Sequence, residues 1–356
     1  KLCDQISDAI LDAHLEQDAN ARVACEVAMS GDRVWIFGEV ASRAQVKPIE
    51  IAQGVLLAAG YRSSEDGISP SSAEIIVSLR PQSPDIAQAV VGKDQIGAGD
   101  QGIVYGYAVR EAAEHMPYAI TEAHDLIRLQ ADLRRKEPGL IKPDAKSQVT
   151  IVYGPHGPRI RHVVLSSQHA PQAPIEEVRE LIGAAITDRY ARGRGACIVE
   201  GYWELEVNPG GAFVLGGPAA DAGLTGRKII VDTYGGACRH GGGAFSGKDA
   251  TKVDRSGAYA ARWIAKNLIA ATAATEVEVA IAYGIGLASP VSVSVDTKGT
   301  GHVSDEAIVR AIHKVVDLRV GAVIERLGLR RPIYKRSEEH TSELQSRQYL
   351  VCRLLL

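Results

Sequence analysis

The chain has no strong excess of charge of either sign and no long apolar run. Its 356 residues include 43 acidic and 40 basic side chains, which leaves a formal net charge of −3. A nearly neutral chain exerts no global attraction on nucleic acid or an anionic membrane, so any polyanion site must be local. Even the apolar stretch Leu268–Val295 is interrupted by Glu276 and Glu278. We therefore expect no transmembrane helix.

The sequence also lacks the spacings that mark disulfide frameworks and two common classes of hydrolase. Its five cysteines are odd in number and form no C-x-x-C pair; they are Cys3, Cys25, Cys197, Cys238 and Cys352. This argues against a disulfide framework and a cysteine zinc site, and it favours a reducing cytosol. No H-E-x-x-H or G-x-S-x-G motif occurs, so neither a zinc hydrolase nor a serine hydrolase is predicted.

Hydrophobic periodicity and turn residues indicate a pattern of helix, two strands and helix that occurs three times. The first copy is Asp4–Gln17, Arg22–Met29, Arg33–Val40 and a helix from Pro48. The second is Thr121–Lys136, Gln148–Tyr153, Arg159–Ser167 and Pro174–Tyr190. The third is Arg255–Ala271, Glu276–Gly284, Val291–Thr297 and a helix from Ser304 to Val316. Two further strands fit Ala73–Leu79 and Ala196–Val207.

This repetition predicts an α+β fold of three similar units, each a mostly antiparallel sheet with helices on one face. We place an N-terminal unit at 1–82, a central unit at 97–216 and a C-terminal unit at 217–335. The other face of each sheet is expected to be covered by packing around a pseudo-threefold axis or by another subunit.

Both ends of the sequence depart from the expected pattern of a complete chain. The sequence begins at Lys1, directly before a helix, and so reads as a fragment. Residues 336–356 break the preceding patterns and look like the translation of a sequencing-adapter oligonucleotide. We exclude this tail from reasoning about the fold.

Two glycine-rich segments stand outside the repeated pattern and are the places to look for chemistry. Gly97–Gly102 (GAGDQG) fits G-x-G-x-x-G, but no buried strand precedes it, so a polar loop is favoured over a dinucleotide fold. The stretch from Gly201 to Gly247 contains 13 glycines. Gly242–Lys248 reads G-x-x-x-x-G-K, yet Asp249 stands where a phosphate loop needs Ser or Thr.

Charged side chains surround the second segment and suit a polyphosphate bound with a hard cation. The cations are Arg227, Lys228, Arg239, Lys248 and Lys252, and the carboxylates are Asp221, Asp249 and Asp254. The alternative is a solvated loop with surface ion pairs, which would explain the charges but not the glycines.

Several acidic residues have a structural interpretation beside the functional one. Asp254 opens a helix and could be its N-cap or a metal ligand. Glu26 and Glu39 lie on alternating strands, where the solvent face of a sheet is the favoured interpretation. Asp144, just before a strand, is ordinarily a turn residue.

Four longer motifs carry a resemblance to a known family. They are Gly97–Gly102 with Tyr105–Ala108, Pro143–Val149, Asp221–Lys228 with Val231–Gly236, and His240–Asp249 with Lys252–Ser256. In this order they resemble the S-adenosylmethionine synthetase (methionine adenosyltransferase) family, from Lys1 to about Lys335. The resemblance implies three α+β domains with pseudo-threefold symmetry and an active site between two subunits of a homodimer, itself part of a dimer of dimers.

The resemblance also implies an activity and residue roles, carried over position by position. ATP, L-methionine and water would give S-adenosylmethionine, phosphate and diphosphate. The implied ATP contacts are Asp144, Lys146, Phe213, Asp221, Arg227, Lys228, Ala244 and Lys248. The implied methionine contacts are Glu39, Gln82, Asp100, Asp221 and Lys252. Asp254 would bind Mg²⁺ and Glu26 would bind K⁺, and residues from Gln82 to about Gly92 would form a mobile loop over the site.

The residue types fit the chemistry of this reaction. A thioether is a competent nucleophile without a general base, whereas the departing triphosphate needs cations, for which Lys146, Arg227, Lys228 and Lys248 are suited. Three departures from the family affect this expectation. A Gly-His-Pro-Asp element is missing before Lys1, Ala212 replaces an arginine beside the adenine contact, and residues 336–356 replace the family's C-terminus. A non-catalytic partner subunit of the same fold is therefore the second hypothesis.

Overall fold

The computed structural model describes residues 1–82, 95–112, 114–155, 157–193 and 202–335. Within these ranges the chain forms ten strands in three separate sheets, together with seven α-helices. The predicted α+β fold of three similar units is confirmed. Among the described helices, none is long and apolar enough to cross a membrane.

The first sheet is built from the N-terminal residues. Its elements are α1 (Leu2–Gln17), β1 (Arg22–Ser30), β2 (Arg33–Ala41), α2 (Pro48–Ala58) and β3 (Glu74–Pro81). β1 and β2 form an antiparallel hairpin, and β3 lies parallel to β2. Val23, Cys25, Val27 and Met29 are buried, because alternate residues of β1 face the helices. The opposite face carries Glu26, as the alternation predicts.

The second sheet repeats this arrangement around its own core. Its elements are α3 (Tyr118–Lys136), β5 (Ile141–Gly154), β6 (Gly157–His169), α4 (Ile175–Ala191) and β7 (Glu204–Val207). β5 and β6 are antiparallel, and β7 is parallel to β6 as β3 is to β2. Asp144 lies within β5, in the irregular stretch made by a register shift between Ile141 and Ala145, so its interpretation as a turn residue before the strand is wrong. Of the strand predicted at Ala196–Val207, residues 196–201 lie outside the described ranges.

The third sheet differs because it takes a strand from the segment that follows the first glycine-rich loop. Its elements are β4 (Gly102–Val109), α5 (Val253–Ala270), β9 (Glu276–Tyr283), β10 (Ser292–Asp296), α6 (Asp305–Val315) and α7 (Val320–Leu327). β9 pairs antiparallel with both β10 and β4. The short β8 (Gly223–Leu224) occupies the matching position on β1. Both β4 and β8 therefore extend a hairpin made by a distant part of the chain.

Candidate active site

A glycine-rich segment lies along the edge of β1 that faces away from β2. At one end, the Thr225 amide donates to the Val27 carbonyl over 2.9 Å. At the other end, the Cys25 amide donates to the Gly247 carbonyl over 2.9 Å. We call residues 225–249 the edge loop, because both of its ends are bonded to β1. The charged residues of the second glycine-rich motif are thereby brought to one edge of the first sheet.

Gly247 shows why the edge loop needs glycine at its second attachment point. Its φ of +77° is strained for residues with a side chain. A Cβ at this position would lie 1.9 Å from the carbonyl oxygen of Cys25 and 3.0 Å from the Cβ of Ser7. The loop can approach β1 this closely only because the side chain is missing.

A buried ion pair lies directly beneath the edge loop. Arg255 of α5 is 1% exposed and Asp8 of α1 is 2% exposed. Arg255 donates from Nη1 to Oδ1 of Asp8 over 2.7 Å and from Nη2 to Oδ2 over 2.8 Å. Asp8 also accepts from the Gly247 amide at 2.8 Å, and Arg255 donates to the Lys248 carbonyl over 3.2 Å. The pair therefore fixes the backbone that carries the Lys248 side chain.

The side chain of Lys248 reaches the first turn of α5. Its Nζ donates to Oδ2 of Asp254 over 2.6 Å, and the two side chains are 21% and 20% exposed. The N-cap of α5 is Lys252, so the interpretation of Asp254 as an N-cap is wrong. A carboxylate in the first turn is still favoured by the helix dipole. Burial lowers the pKa of His240, an effect that nearby Asp254 opposes.

Glu26 lies half-buried on β1 beside this pair. Burial raises its pKa, and the carboxylates of Asp4 and Glu39 add to that rise, while Lys248 opposes it. A carboxyl group that is both partly desolvated and surrounded by acids is stabilised in its charged form by a cation. Glu26 is therefore partly buried and not fully solvent-facing, and charged side chains lie around it.

Asp249 and Arg239, which the sequence suggested as ligands, both make contacts that hold the edge loop. Asp249 is 2% exposed and accepts from the Val23 amide at 2.8 Å, the Thr251 amide at 2.9 Å and the Lys252 ammonium. A carboxylate with these partners is a structural anchor. The hypothesis that Asp249 is a cation ligand is therefore wrong.

Arg239 is also engaged in contacts that hold the loop. Its Nε donates to Oε1 of Glu278 over 2.6 Å, and its amide donates to Oε2 over 3.1 Å. The guanidinium also lies over the Tyr105 ring, 5.4 Å from the centroid. These contacts attach the middle of the edge loop to the third sheet, and the guanidinium, which is 61% exposed, already has Glu278 as its charged partner.

A second group of predicted ATP contacts lies at the end of the central sheet. Asp144 accepts from the Gly217 amide at Oδ2 over 2.9 Å. The Phe213 amide donates to Nε2 of His169 over 3.1 Å. Asp144 and Phe213 are therefore connected through one short segment, residues 213–217. Lys146 lies nearby on β5 and is exposed.

Five of the other predicted ligands lie at exposed positions. Those with exposed side chains are Glu39, Asp100, Asp221, Arg227 and Lys228. Gln82 carries a buried Oε1 without a hydrogen-bond partner in the structure as described. Ala244 packs against Gly226. A Cβ added at Gly226 would lie 2.4 Å from the Cβ of Ala244. The predicted mobile loop falls mostly on residues 83–92, which lie outside the described ranges.

Some residues that shape the site were not identified from the sequence motifs. Asp8 was one, although a signal existed: Asp4, Asp8 and Asp12 recur every four residues on the buried face of α1, each 2% exposed. Asp4 accepts from the Gly226 amide over 2.8 Å, as Asp8 does from Gly247. Carboxylates spaced along a buried helix face imply buried donors opposite them. Within the described ranges, no three His, Cys, Asp or Glu side chains form a metal cluster.

Comparison with known proteins shows the family of this chain. Three family models match the chain in order: the N-terminal domain of S-adenosylmethionine synthetase at residues 1–84, the central domain at 95–213 and the C-terminal domain at 215–348. The chain is also 47% identical over 350 residues to an S-adenosylmethionine synthase of Clostridium tetani (strain Massachusetts / E88), covering 95% of this chain and 89% of that protein. The chain therefore belongs to the S-adenosylmethionine synthetase family.

Proposed function

We propose that this chain transfers the adenosyl group of ATP to the sulfur of L-methionine and hydrolyses the released triphosphate to phosphate and diphosphate. The observation that carries the proposal is the Lys248–Asp254 pair, held beside Glu26 by a loop whose glycines leave backbone accessible. In a chain of this family, such a cluster is suited to an anion that arrives with a metal ion.

The main task of the site is to stabilise the leaving group. The methionine sulfur has a free lone pair, so it needs alignment with C5′ of the ribose at about 3–3.5 Å and no general base. Triphosphate leaves with added negative charge, which the side chains of Lys146, Arg227, Lys228 and Lys248 would stabilise. The Lys248 ammonium has three donors and uses one on Asp254, so two remain for phosphate oxygens. The same cations would hold triphosphate for its hydrolysis by water.

Methionine presents an ammonium and a carboxylate, which need partners of opposite charge. Asp100 and Glu39 suit the ammonium, and Lys252 suits the carboxylate because its donors are not all used by Asp249. The Oε1 of Gln82, which has no partner among the described residues, supports a role as an acceptor for a ligand donor. Asp221, which is exposed beside the edge loop, would lie between the two substrates.

The residues present fit the two cations that the family resemblance implies. Magnesium in nucleotide sites needs only one or two carboxylates, because substrate phosphates supply further ligands, so Asp254 alone is a sufficient protein contribution. When bound, Mg²⁺ would neutralise phosphate charge. Glu26, with a pKa raised chiefly by burial, would gain from K⁺ beside it.

The assembly and location complete the proposal. We infer a homodimer with active sites at the interface, itself paired into a dimer of dimers. The support is a set of partly exposed apolar side chains on strands of the three sheets: Phe37, Ile76, Ile103 and Val152. The free cysteines Cys3, Cys25 and Cys238 support a cytoplasmic location. Domain limits at 1–82, 97–216 and 217–335 also remain part of the proposal.

The test is product formation with and without methionine. The purified chain is mixed with ATP, Mg²⁺ and K⁺, and S-adenosylmethionine is detected by mass spectrometry while phosphate and diphosphate are measured separately. We expect all three products only when methionine is present. ATP turnover that is unchanged without methionine, or an absence of S-adenosylmethionine, would contradict the proposal and favour a non-catalytic subunit.

A further inference from the structure

Two adjacent polar side chains at the end of β6, Gln168 and His169, are buried and take no part in the chemistry above. Their residues are 0% and 2% exposed. Buried polar groups need partners, and here the partners belong to the second group of predicted ATP contacts. The bonds made by these two side chains therefore bear directly on how the nucleotide is held.

His169 binds both backbone polar atoms of Phe213, one through its own backbone amide and one through its ring. The His169 amide donates to the Phe213 carbonyl over 2.9 Å, and the Phe213 amide donates to Nε2 of His169 over 3.1 Å. The other ring nitrogen, Nδ1, lies 3.0 Å from the carbonyl of Ala170. Because a carbonyl can only accept, Nδ1 carries the proton and Nε2 is free to accept from Phe213.

Gln168 joins three separate segments with one side-chain amide. Its Oε1 accepts from the Asp144 amide at 3.2 Å. Its Nε2 donates to the Val214 carbonyl over 3.0 Å and to the Asp66 carbonyl over 3.3 Å. Gln168 thus connects β5, the 213–217 segment and the N-terminal unit.

The 213–217 segment packs closely against Gln168, so that no side chain fits at Gly216. A Cβ at Gly216 would lie 2.5 Å from the Gln168 Cδ and 3.0 Å from the Asp144 Cβ. The next amide, that of Gly217, donates to Oδ2 of Asp144 over 2.9 Å. Phe213 and Asp144 are consequently held at a fixed separation by Gln168 and His169 together.

The chemistry of the held residues indicates which part of ATP they face. The carboxylate of Asp144 would be repelled by triphosphate, so it suits hydroxyl or amino donors of the nucleoside. The Phe213 ring offers a surface on which a base can stack. The cations that would bind triphosphate lie elsewhere, on the edge loop and at Lys146, which is held by the β5–β6 ladder opposite Ser166.

We propose that Gln168 and His169 are positioning residues that set the geometry of Phe213 and Asp144 for the nucleoside half of ATP. Their loss weakens recognition of the nucleoside and leaves binding of the triphosphate half intact. This inference rests on the proposed function, since it takes ATP as the ligand of Phe213 and Asp144.

The test compares two ligands that share the triphosphate and differ in the nucleoside. Isothermal titration calorimetry measures Kd for adenosine 5′-(β,γ-imido)triphosphate and for inorganic tripolyphosphate, both with Mg²⁺, on the full chain. The variants are Gln168→Met and His169→Leu. The matched controls are Gln148→Met, an exposed glutamine of β5, and His162→Leu, a histidine of β6 that pairs with Glu206.

We expect each variant to raise Kd for the nucleotide at least tenfold, which is about 1.4 kcal/mol, and Kd for tripolyphosphate less than threefold. The controls should bind both ligands as the wild type does. His169→Gln keeps an acceptor near the position of Nε2, so it should recover part of the lost nucleotide affinity. A loss confined to the nucleotide is a result that general unfolding would not produce.

A further variant keeps the test decisive if Gln168→Met or His169→Leu fails to fold. Gly216→Ala inserts a methyl group between Gln168 and Asp144 without removing a buried polar group, and we expect the same selective loss. Equal losses for both ligands, or unchanged Kd for both, would overturn the inference. Failure of the wild type to bind the nucleotide would contradict the proposed function itself, whereas wild-type binding with unaffected variants contradicts only the inference.

Discussion

The ion pair between Asp8 and Arg255 offers a quantitative test of how the edge loop is held. Asp8→Asn keeps the shape of the side chain and an oxygen that can accept from the Gly247 amide. It removes the negative charge that balances the Arg255 guanidinium, which is 1% exposed. Breaking a buried pair in this way typically costs about 3–5 kcal/mol, because the remaining charge is left uncompensated.

The structure favours the lower end of that range. The Arg255 guanidinium also lies over the Tyr334 ring, 4.2 Å from its centroid, and donates to the Tyr259 hydroxyl over 3.0 Å. These contacts stabilise the remaining cation, so we expect a loss of about 3 kcal/mol. With an m-value of about 3 kcal/mol per molar, the midpoint of urea unfolding should fall by about 1 M.

The assay is urea unfolding followed by circular dichroism, with two comparison variants. Glu74→Gln breaks an ion pair with Arg33 whose side chains are 57% and 56% exposed, and it should cost less than about 1 kcal/mol. Asp8→Asn combined with Arg255→Met removes both charges and should be more stable than Asp8→Asn alone. If Asp8→Asn unfolds at the same urea concentration as Glu74→Gln, the pair does not hold the loop as argued.

Three further predictions follow from the site and the core. Lys248→Ala should lower turnover by about 10²–10³-fold with an unchanged melting temperature, and Lys314→Ala, an exposed lysine of α6, should not change turnover; equal turnover would reject the role of Lys248. Burial lowers the pKa of His14, so His14 of the unfolded chain binds a proton before His14 of the folded chain does as pH falls through about 6.5. The unfolding free energy should therefore decrease between about pH 7.5 and 5.5, and it should decrease less in His14→Gln. An equal slope in both proteins would contradict this assignment. Glu26→Gln should reduce the activation of turnover by K⁺, and a K⁺ titration that matches the wild type would remove Glu26 from the cation site.

The repeated helix–strand–strand–helix pattern was predictable because each unit is local. Alternation along β1 and the turn at Gly31 define a hairpin without information from distant residues, and the structure places the hairpin within a residue or two of the prediction. The prediction of α2 from Pro48 was likewise correct, since proline is favoured at the first helical position.

Long-range pairing was not predictable in this way. Gly102–Val109 forms its sheet pairing with Glu276–Tyr283, which is far away in sequence. Propensity gives no information about which distant edge a strand will join. The short helix Val320–Leu327 was also missed.

The candidate site was likewise predictable only in part. Motif spacing indicated Lys248 and Asp254, and the structure brings their side chains together. The same motifs gave Asp249 and Arg239 as ligands, although Asp249 is buried and anchors β1 and Arg239 is exposed and pairs with Glu278. A residue type alone cannot distinguish a charge that binds a ligand from one that binds the protein, because that depends on which partners folding places beside it.

The most direct test of the account is a crystal structure with adenosine 5′-(β,γ-imido)triphosphate, Mg²⁺ and methionine. We predict that triphosphate oxygens lie within hydrogen-bonding distance of the Lys248 ammonium, with Mg²⁺ on Asp254 and the methionine sulfur in line with C5′ of the ribose. A triphosphate bound away from Lys248 and the edge loop would contradict the claim that these residues stabilise the leaving group.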